Sequence, residues 1–260
     1  MVARGTLYFC ARDIKMFKYI AANTPDLLAE VHRIRYQVYC VEHDYEDRTK
    51  NLNGLERDEY DDHSVHGLLV HRASNTSMGT VRLVMHKPGT PAGSLPIYKI
   101  CKHPSLRDHD FLPINTTAEV SRFAISKTYR RRAGDGTYGL QRDIEEAAID
   151  VRREMPRITL GLITAALRLA FSSGITHVCA VMEPSLLRLL SRFGVHFEML
   201  GPQVEYHGWR QPCYSMLHTL MEGIELERYD AWETITERGR LWPSSLSSST
   251  GWGEEVAAAS

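Results

Sequence analysis

The stretch ITLGLITAALRLAFSSG, residues 158–174, restricts the fold of this chain more than any other. It is apolar, rich in alanine and closed by Gly174, the signature of a buried helix with a glycine stop. THVCAVM (176–182) follows as a buried strand, and PSLLRLLSRFG (184–194) as a short helix with proline at its start and glycine at its end. HFEML (196–200) and CYSMLHTL (213–220) read as further strands, and 221–238 as an exposed C-terminal helix. The last twenty residues, 241–260, carry mostly Ser, Gly and Ala and are expected to be disordered.

The first half is built differently. FKYIAA (17–22) reads as a strand. Thr24, Pro25 and Asp26 then supply an N-cap, a first-turn proline and an acid at the positive end of a helix dipole. Leu27, Val31, Ile34 and Val38 recur at three or four residues, so the spacing predicts an amphipathic helix to about Glu42. Arg35 and Tyr39, four apart, share a face beside that stripe. Residues 43–63 are charged and read as a loop. SVHGLLVH (64–71) and MGTVRLVMH (78–86) read as strands joined at SNTS. The proline-rich 87–117 segment is irregular, with a helical turn near Tyr98; Ala118–Ser126 is the next strand, and 134–156 a polar spacer. Strands followed by an α/β half predict one α+β domain over residues 1–240, built on a single mixed, twisted central sheet flanked by helices.

Bulk properties exclude several classes. A formal net charge of -1 leaves no general nucleic-acid footprint, so an anionic partner must meet a local patch. The five cysteines are scattered without a CxxC, which argues against a disulfide framework or zinc ribbon and fits a reducing compartment. No apolar run reaches the roughly 18 residues of a membrane span. Thr6–Ala11, about six residues, is too short for a signal-peptide core. These features predict a cytoplasmic protein with no transmembrane segment.

Four clusters set charged groups among apolar or aromatic residues: RYQVY (35–39), ERDEYD (56–61), GTVRLV (79–84) and EVSRF (119–123). In GTVRLV the strand alternation puts Val81 and Leu83 on one face and Thr80 and Arg82 on the other. An arginine there requires a carboxylate partner unless the face is wet. In EVSRF an ideal strand separates Glu119 from Arg122, whereas a β-bulge would bring them together. Taken singly, a strand arginine is most often structural and Asp58 or Asp61 most often solvated. Their combined order is what carries weight.

That order resembles the acyl-homoserine-lactone synthases, a branch of the GNAT-like acyltransferases. The matching positions are Arg35 with Tyr39, then Tyr45, Asp58 and Asp61, Arg82 in its GTVR context, and Glu119 with Arg122. The later half resembles the acyltransferases of the exosortase/PEP-CTERM surface-protein system, which group with N-acyl amino acid synthases. PRITLGLITAALRLAFSSGITHVCAVMEPSLLRLLSRFG (156–194) and YHGWRQPC (206–213) carry this second likeness. Tyr39 and Tyr45 stand where the lactone synthases tend to have phenylalanine and tryptophan, so acyl transfer is implied without a specific lactone product.

The resemblance implies a GNAT-like fold and an acyl chain delivered on phosphopantetheine, by acyl carrier protein or alternatively coenzyme A. A small-molecule amine then attacks the thioester. Glu119, Ser121 and Arg122 are the implied catalytic set, with Glu119 as the base or the group that orients it. Arg35, Tyr39, Asp58, Asp61 and Arg82 would close the amine side. The basic run Lys127, Arg130, Arg131 and Arg132 would greet an acidic carrier protein, and the helix start at Pro156, with Thr159, would meet its phosphate.

RRAGDG (131–136) fits a phosphate loop by pattern alone, which is weak evidence. His63 and His66, three apart on a strand, do not make a metal pair, and no metal or permanently bound cofactor is expected. Cys213 lacks a partnering histidine and reads as a packed thiol. Leu160, Ile163, Leu167 and Phe171 are core residues that could also line an acyl tunnel. Competing readings are an autoinducer synthase using S-adenosylmethionine, a catalytically silent acyl or acyl-carrier sensor, and a two-domain regulator binding partners through 221–238.

Overall fold

The computed structural model describes residues 16–87, 89–90, 94–126 and 142–245. Its sheet has eight strands. β1 (Phe17–Ala21), β2 (Ser64–His71), β3 (Thr76–Met85) and β4 (Thr117–Ile125) pair antiparallel in sequence order. β5 (His177–Met182) joins β4 in parallel, and β8 (Trp209–Met216) pairs antiparallel with β5. Two short strands, β6 (Glu198–Met199) and β7 (Val204–Glu205), pair with β8. Parallel neighbours need a long crossover, and the helix Arg142–Ser172 supplies it between β4 and β5.

Helices flank both faces. α1 (Pro25–Arg35) starts as its sequence dictates: the Thr24 hydroxyl accepts the Leu27 N–H and proline occupies the first turn. Its apolar stripe, Val31 and Ile34, buries against Leu68 and Val70. α2 (Ile97–Ile100) lies in the long excursion between β3 and β4, where Leu95, Ile97, Leu106 and Leu112 pack against Val84 and Cys179. On the opposite face α3 (Arg142–Ser172), α4 (Pro184–Ser191), α5 (Leu217–Glu227) and α6 (Tyr229–Ile235) enclose the principal core. Each fully buried leucine or isoleucine there contributes about 1.5–3 kcal/mol. This is the expected α+β architecture.

Four expectations are corrected. The crossover helix does not start at Pro156 but runs through it from Arg142, so no free helix N-terminus stands beside Thr159, and the 134–156 spacer is helical from 142 on. Leu217–Leu220 begins α5 instead of ending a strand; Met216 at its N-cap makes no side-chain capping bond, so no local signal marks the change. The 221–238 region forms two helices whose Met221, Ile224, Trp232 and Ile235 are buried, not an exposed helix. Trp242 stacks on Phe171 at 5.1 Å, so the ordered chain extends past 240; residues 246–260 lie outside the described residues.

Two chain segments touch backbone to backbone at Gly194 and Gly223. A Cβ on Gly223 would fall 2.6 Å from the Gly194 carbonyl oxygen, although the backbone of Gly223 itself suits any residue. Gly223→Ala is therefore expected to lower stability by about 1–3 kcal/mol through overpacking alone, measurable as a shift of the chemical-denaturation midpoint.

Candidate active site

The site grows out of three breaks in regular structure. The first lies at the end of α1, where the helix continues as a π-helical segment, Tyr36–Glu42, closed by the His43 N–H to Val38 carbonyl bond at 3.1 Å. Such segments recur at functional sites. Here it turns the chain so that the Tyr39 carbonyl accepts the N–H groups of both Tyr45 and Glu46, which carries Glu46 over the sheet.

The second break is in β4. Thr80 pairs with Ala124 and Arg82 with Ser121, so two residues of β4 stand opposite the single Val81. This is the bulge that the EVSRF pattern requires. Arg122 occupies it at φ 49°, a left-handed conformation uncommon for a long side chain.

Both features serve one buried ionic network. Arg35 is fully buried at the end of α1; its Nε donates to Glu56, and its two terminal nitrogens donate to the two Asp61 oxygens at 2.6 and 3.1 Å. Arg82 donates to Asp58 at 2.6 Å, to Asp61 at 2.8 Å and to the Ser121 hydroxyl at 2.9 Å. Arg122 donates to Glu46 at 2.7 Å, Glu56 at 2.8 Å and Asp58 at 3.2 Å, with its guanidinium 4.9 Å over the Tyr39 ring. Glu56, Asp58 and Asp61 arrive on the 51–63 connection, and Glu46 on the turn after the π-helical segment. The Glu56 N–H to His32 carbonyl bond and the contact of His32 Nδ1 with the Glu56 carbonyl oxygen pin that connection to α1.

Burial alone would raise these carboxyl groups. The guanidiniums outweigh it: Arg122 and Arg35 hold Glu56, Arg82 holds Asp58, and Arg35 and Arg82 hold Asp61 below the ordinary range. Glu119 behaves oppositely. It faces the same cavity, but no guanidinium donates to it among the described residues; its Oε2 accepts the Ile97 N–H at 2.6 Å. Burial pushes its pKa up to about 8, opposed by that N–H and by the more distant Arg82 and Arg122. The bulge thus brings Glu119 and Arg122 to one cavity without pairing them.

The third break is between β4 and β5, whose pairing ends at Val120 and Ala180. Beyond it lies an apolar cleft of about 160 Å³ lined by Phe123, Ile163, Ala166, Leu167, Val181 and Leu186 among others. It adjoins a polar cavity of about 460 Å³ that holds Glu119, Asp58, Arg82, Tyr45, Tyr206 and Arg210. Tyr39, Ser121, Arg122 and Phe123 line both. Of the proposed tunnel residues, Ile163 and Leu167 reach the cleft, whereas Leu160 lies in the core and Phe171 stacks on Trp242.

Arg35, Tyr39, Asp58, Asp61, Arg82, Glu119, Ser121 and Arg122 are therefore gathered at one place. Thr159 lines the polar cavity's edge but donates its hydroxyl to the Met155 carbonyl inside the helix. Lys127, Arg130, Arg131, Arg132 and the RRAGDG run lie outside the described residues. Glu56, Glu46, Glu183, Tyr206 and Arg210 were not singled out from the sequence. Glu56 opens the ERDEYD cluster and was within reach of such a reading; Glu46 depends on the π-helical turn. Cys213 is buried, and among the described residues no group of three or more His, Cys, Asp or Glu could hold a metal. Among them too, no helix is long and apolar enough to cross a membrane.

Residues 34–138 match the acetyltransferase (GNAT) domain family model. No curated protein sequence matches the chain. Solved structures share its fold. The AHL synthase LasI superposes with a TM-score of 0.53 at 16% identity, covering 80% of this chain and 94% of LasI. FeeM, an N-acyl amino acid synthase from uncultured soil microbes, gives 0.52 at 17%, covering 82% and 96%. BjaI, a CoA-dependent acyl-homoserine lactone synthase solved with MTA, gives 0.54 at 20%, covering 88% and 90%. The fold is the α+β GNAT acyltransferase fold, with a mixed central sheet and flanking helices.

Two outcomes follow from the network. Asp61→Asn strips a buried charge from Arg35 and Arg82, and breaking such a pair is expected to cost about 3–5 kcal/mol of unfolding free energy. Carboxylates held below their unfolded pKa stabilise the fold above roughly pH 4 and lose that contribution as pH falls through the folded values. Denaturation followed from pH 7 to pH 3 should show stability dropping below pH 4 in the wild type, and dropping less in Asp61→Asn.

Proposed function

We propose that the protein is an N-acyltransferase that moves an acyl chain from a phosphopantetheine thioester to the amine of an amino acid or related small molecule. The observation that carries this reading is the junction of two unlike cavities. An apolar cleft opens where β4 and β5 part, and it meets a charged cavity at Ser121, Arg122 and Tyr39. An acyl chain suits the first and an ammonium the second, so in this reading the thioester carbon would lie at the junction.

Glu119 is the base in this reading. Its carboxylate takes a proton from the acceptor ammonium, the free amine adds to the thioester carbon, and the C–S bond breaks as the second amine proton leaves with the thiol. Backbone amides at the bulge, where the ladder to β3 is interrupted, would receive the oxyanion. Arg122 and Ser121 would orient the acceptor, and Arg35, Tyr39, Asp58, Asp61 and Arg82 would keep that side rigid. A bidentate guanidinium pair such as Arg35 with Asp61 fixes geometry as well as charge.

The donor is proposed to be acyl carrier protein, greeted by Lys127, Arg130, Arg131 and Arg132, with coenzyme A as the alternative. LasI, FeeM and BjaI, as synthases of acyl-homoserine lactones and N-acyl amino acids, are compatible with either acceptor class. The exosortase/PEP-CTERM association rests on the 156–194 and 206–213 sequence likeness alone.

Mass spectrometry of lipid extracts from cells expressing the wild type or Glu119→Gln tests the reading. A wild-type-specific N-acyl amine names the acceptor and chain, and an acyl lactone in its place assigns the autoinducer synthase. Absence of both, with acyl carrier protein still bound, leaves only a sensor. With purified enzyme, kcat/KM should rise with pH and level off above about pH 8, because the base works only when ionised. Glu119→Gln should lower kcat by roughly 10²–10⁴-fold, the usual worth of a positioned base, and abolish that rise.

A further inference from the structure

β8 belongs to the main sheet, but its first two residues extend beyond β5 and pair there with β7, which lies off the main strand order. The tip of this hairpin, Tyr206–Gly208, is a tight reversal with His207 at φ 52° and Gly208 at φ 91°, closed by the Tyr206 N–H to Gly208 carbonyl bond at 2.9 Å. A chain of rings leads from this tip to the connection after the π-helical segment. The Tyr206 and His207 rings meet at 4.6 Å, His207 and Tyr45 at 5.3 Å, and Tyr45 stacks on His43 at 5.1 Å. Arg210 lies 5.8 Å over the same Tyr45 ring and pairs with Glu183 at 3.1 Å, at the start of α4.

All six of these side chains line the polar cavity, and of them only Glu183 also lines the apolar cleft. The hairpin therefore faces the side assigned to the amine and not the side assigned to the acyl chain. Within that cavity the Tyr206 phenol feels the charges of Arg122, Glu46, Glu119 and Asp58, and burial raises its pKa, so it keeps its proton. Among the described residues no hydrogen bond is made by its hydroxyl. Trp209, the next residue but two, is 63% exposed and does not line the cavity. Tyr206 is also exposed, at 41%, but unlike Trp209 it lines the cavity.

We propose that the β7–β8 hairpin is a clamp on the acceptor side of the cavity, latched by His207 against Tyr45, and that Tyr206 is a positioning residue for the acceptor. The inference rests on the transferase reading above. Its physical content is that a free phenol hydroxyl, able to donate and to accept, meets a polar group of the acceptor while the ammonium lies toward Glu119. The guanidiniums of Arg35, Arg82 and Arg122 are each committed to carboxylates, whereas the Tyr206 phenol has no hydrogen-bond partner among the described residues. Ring-on-ring contacts tie the two walls together side chain to side chain, so the latch depends on them.

Steady-state kinetics with varied acceptor and varied donor tests the assignment on the full chain. Tyr206→Phe should raise the acceptor KM by roughly five- to tenfold, the worth of one hydrogen bond, with the donor KM and kcat nearly unchanged. His207→Ala should raise it further, and Trp209→Ala should change neither constant. An unchanged acceptor KM in Tyr206→Phe, or an effect on the donor KM alone, would overturn the assignment. Amide hydrogen exchange of residues 43–46 and 204–210 gives a reading that needs no turnover. In His207→Ala both segments should exchange several-fold faster together; exchange that rises in one segment only, or in neither, removes the latch. Absence of acyl transfer by the wild type with every acceptor tried would sink the transferase reading, and the exchange result would still decide the latch.

Discussion

Three guanidiniums and four carboxylates, buried or nearly so, hold the front of this molecule together. Arg35 comes from a helix, Arg82 from a mid-sheet strand and Arg122 from a bulge, and each is met by carboxylates from the 46–61 connection. Ions of this kind are costly to bury singly and tolerable only when every donor finds an acceptor. The connection is otherwise short of apolar residues, so its path over the sheet is set by these ion pairs, the backbone bonds to His32 and the turn contacts around Asp58. The network supplies position as well as stability above roughly pH 4.

The left-handed Arg122 shows how far the arrangement is coupled. A long side chain at φ 49° carries a conformational penalty. The ion pairs to Glu46, Glu56 and Asp58 offset that penalty, and they are reachable only because the bulge turns Arg122 to the same face as Ser121 and Glu119. No guanidinium donates to Glu119 among the described residues, and burial keeps its proton affinity high against the opposing pull of the Ile97 N–H and of Arg82 and Arg122. The result is two kinds of carboxyl group around one cavity: those fixed as anions, and one able to exchange a proton near neutrality.

Much of this was legible in the residues. The Thr24-Pro25-Asp26 start, the alternation through GTVRLV and the mismatch in EVSRF each had a local cause, and each appears in the structure as its sequence demands. The long helix was found but its start was not, because Pro156 imitates a first-turn proline and the charged residues before it imitate a spacer. Leu217–Leu220 was read as strand because it follows β8 directly, with no capping side chain to mark the start of a helix. Glu46 and Tyr206 carried no signal of their own. Both depend on backbone reversals, one π-helical and one in a hairpin with two residues at positive φ, that bring distant segments to a shared cavity.

Ile163, Leu167, Val178, Leu190, Val195 and Leu220 belong at once to the principal core and to the wall of the apolar cleft. That part of the lining cannot be altered while the interior stays as it is. A methylene removed from that wall both widens the cleft and leaves packing undone; one added both narrows the cleft and crowds the helices behind it. What the cleft admits and how firmly the chain folds are written in the same atoms, so a lineage that drifts in one is bound to drift in the other.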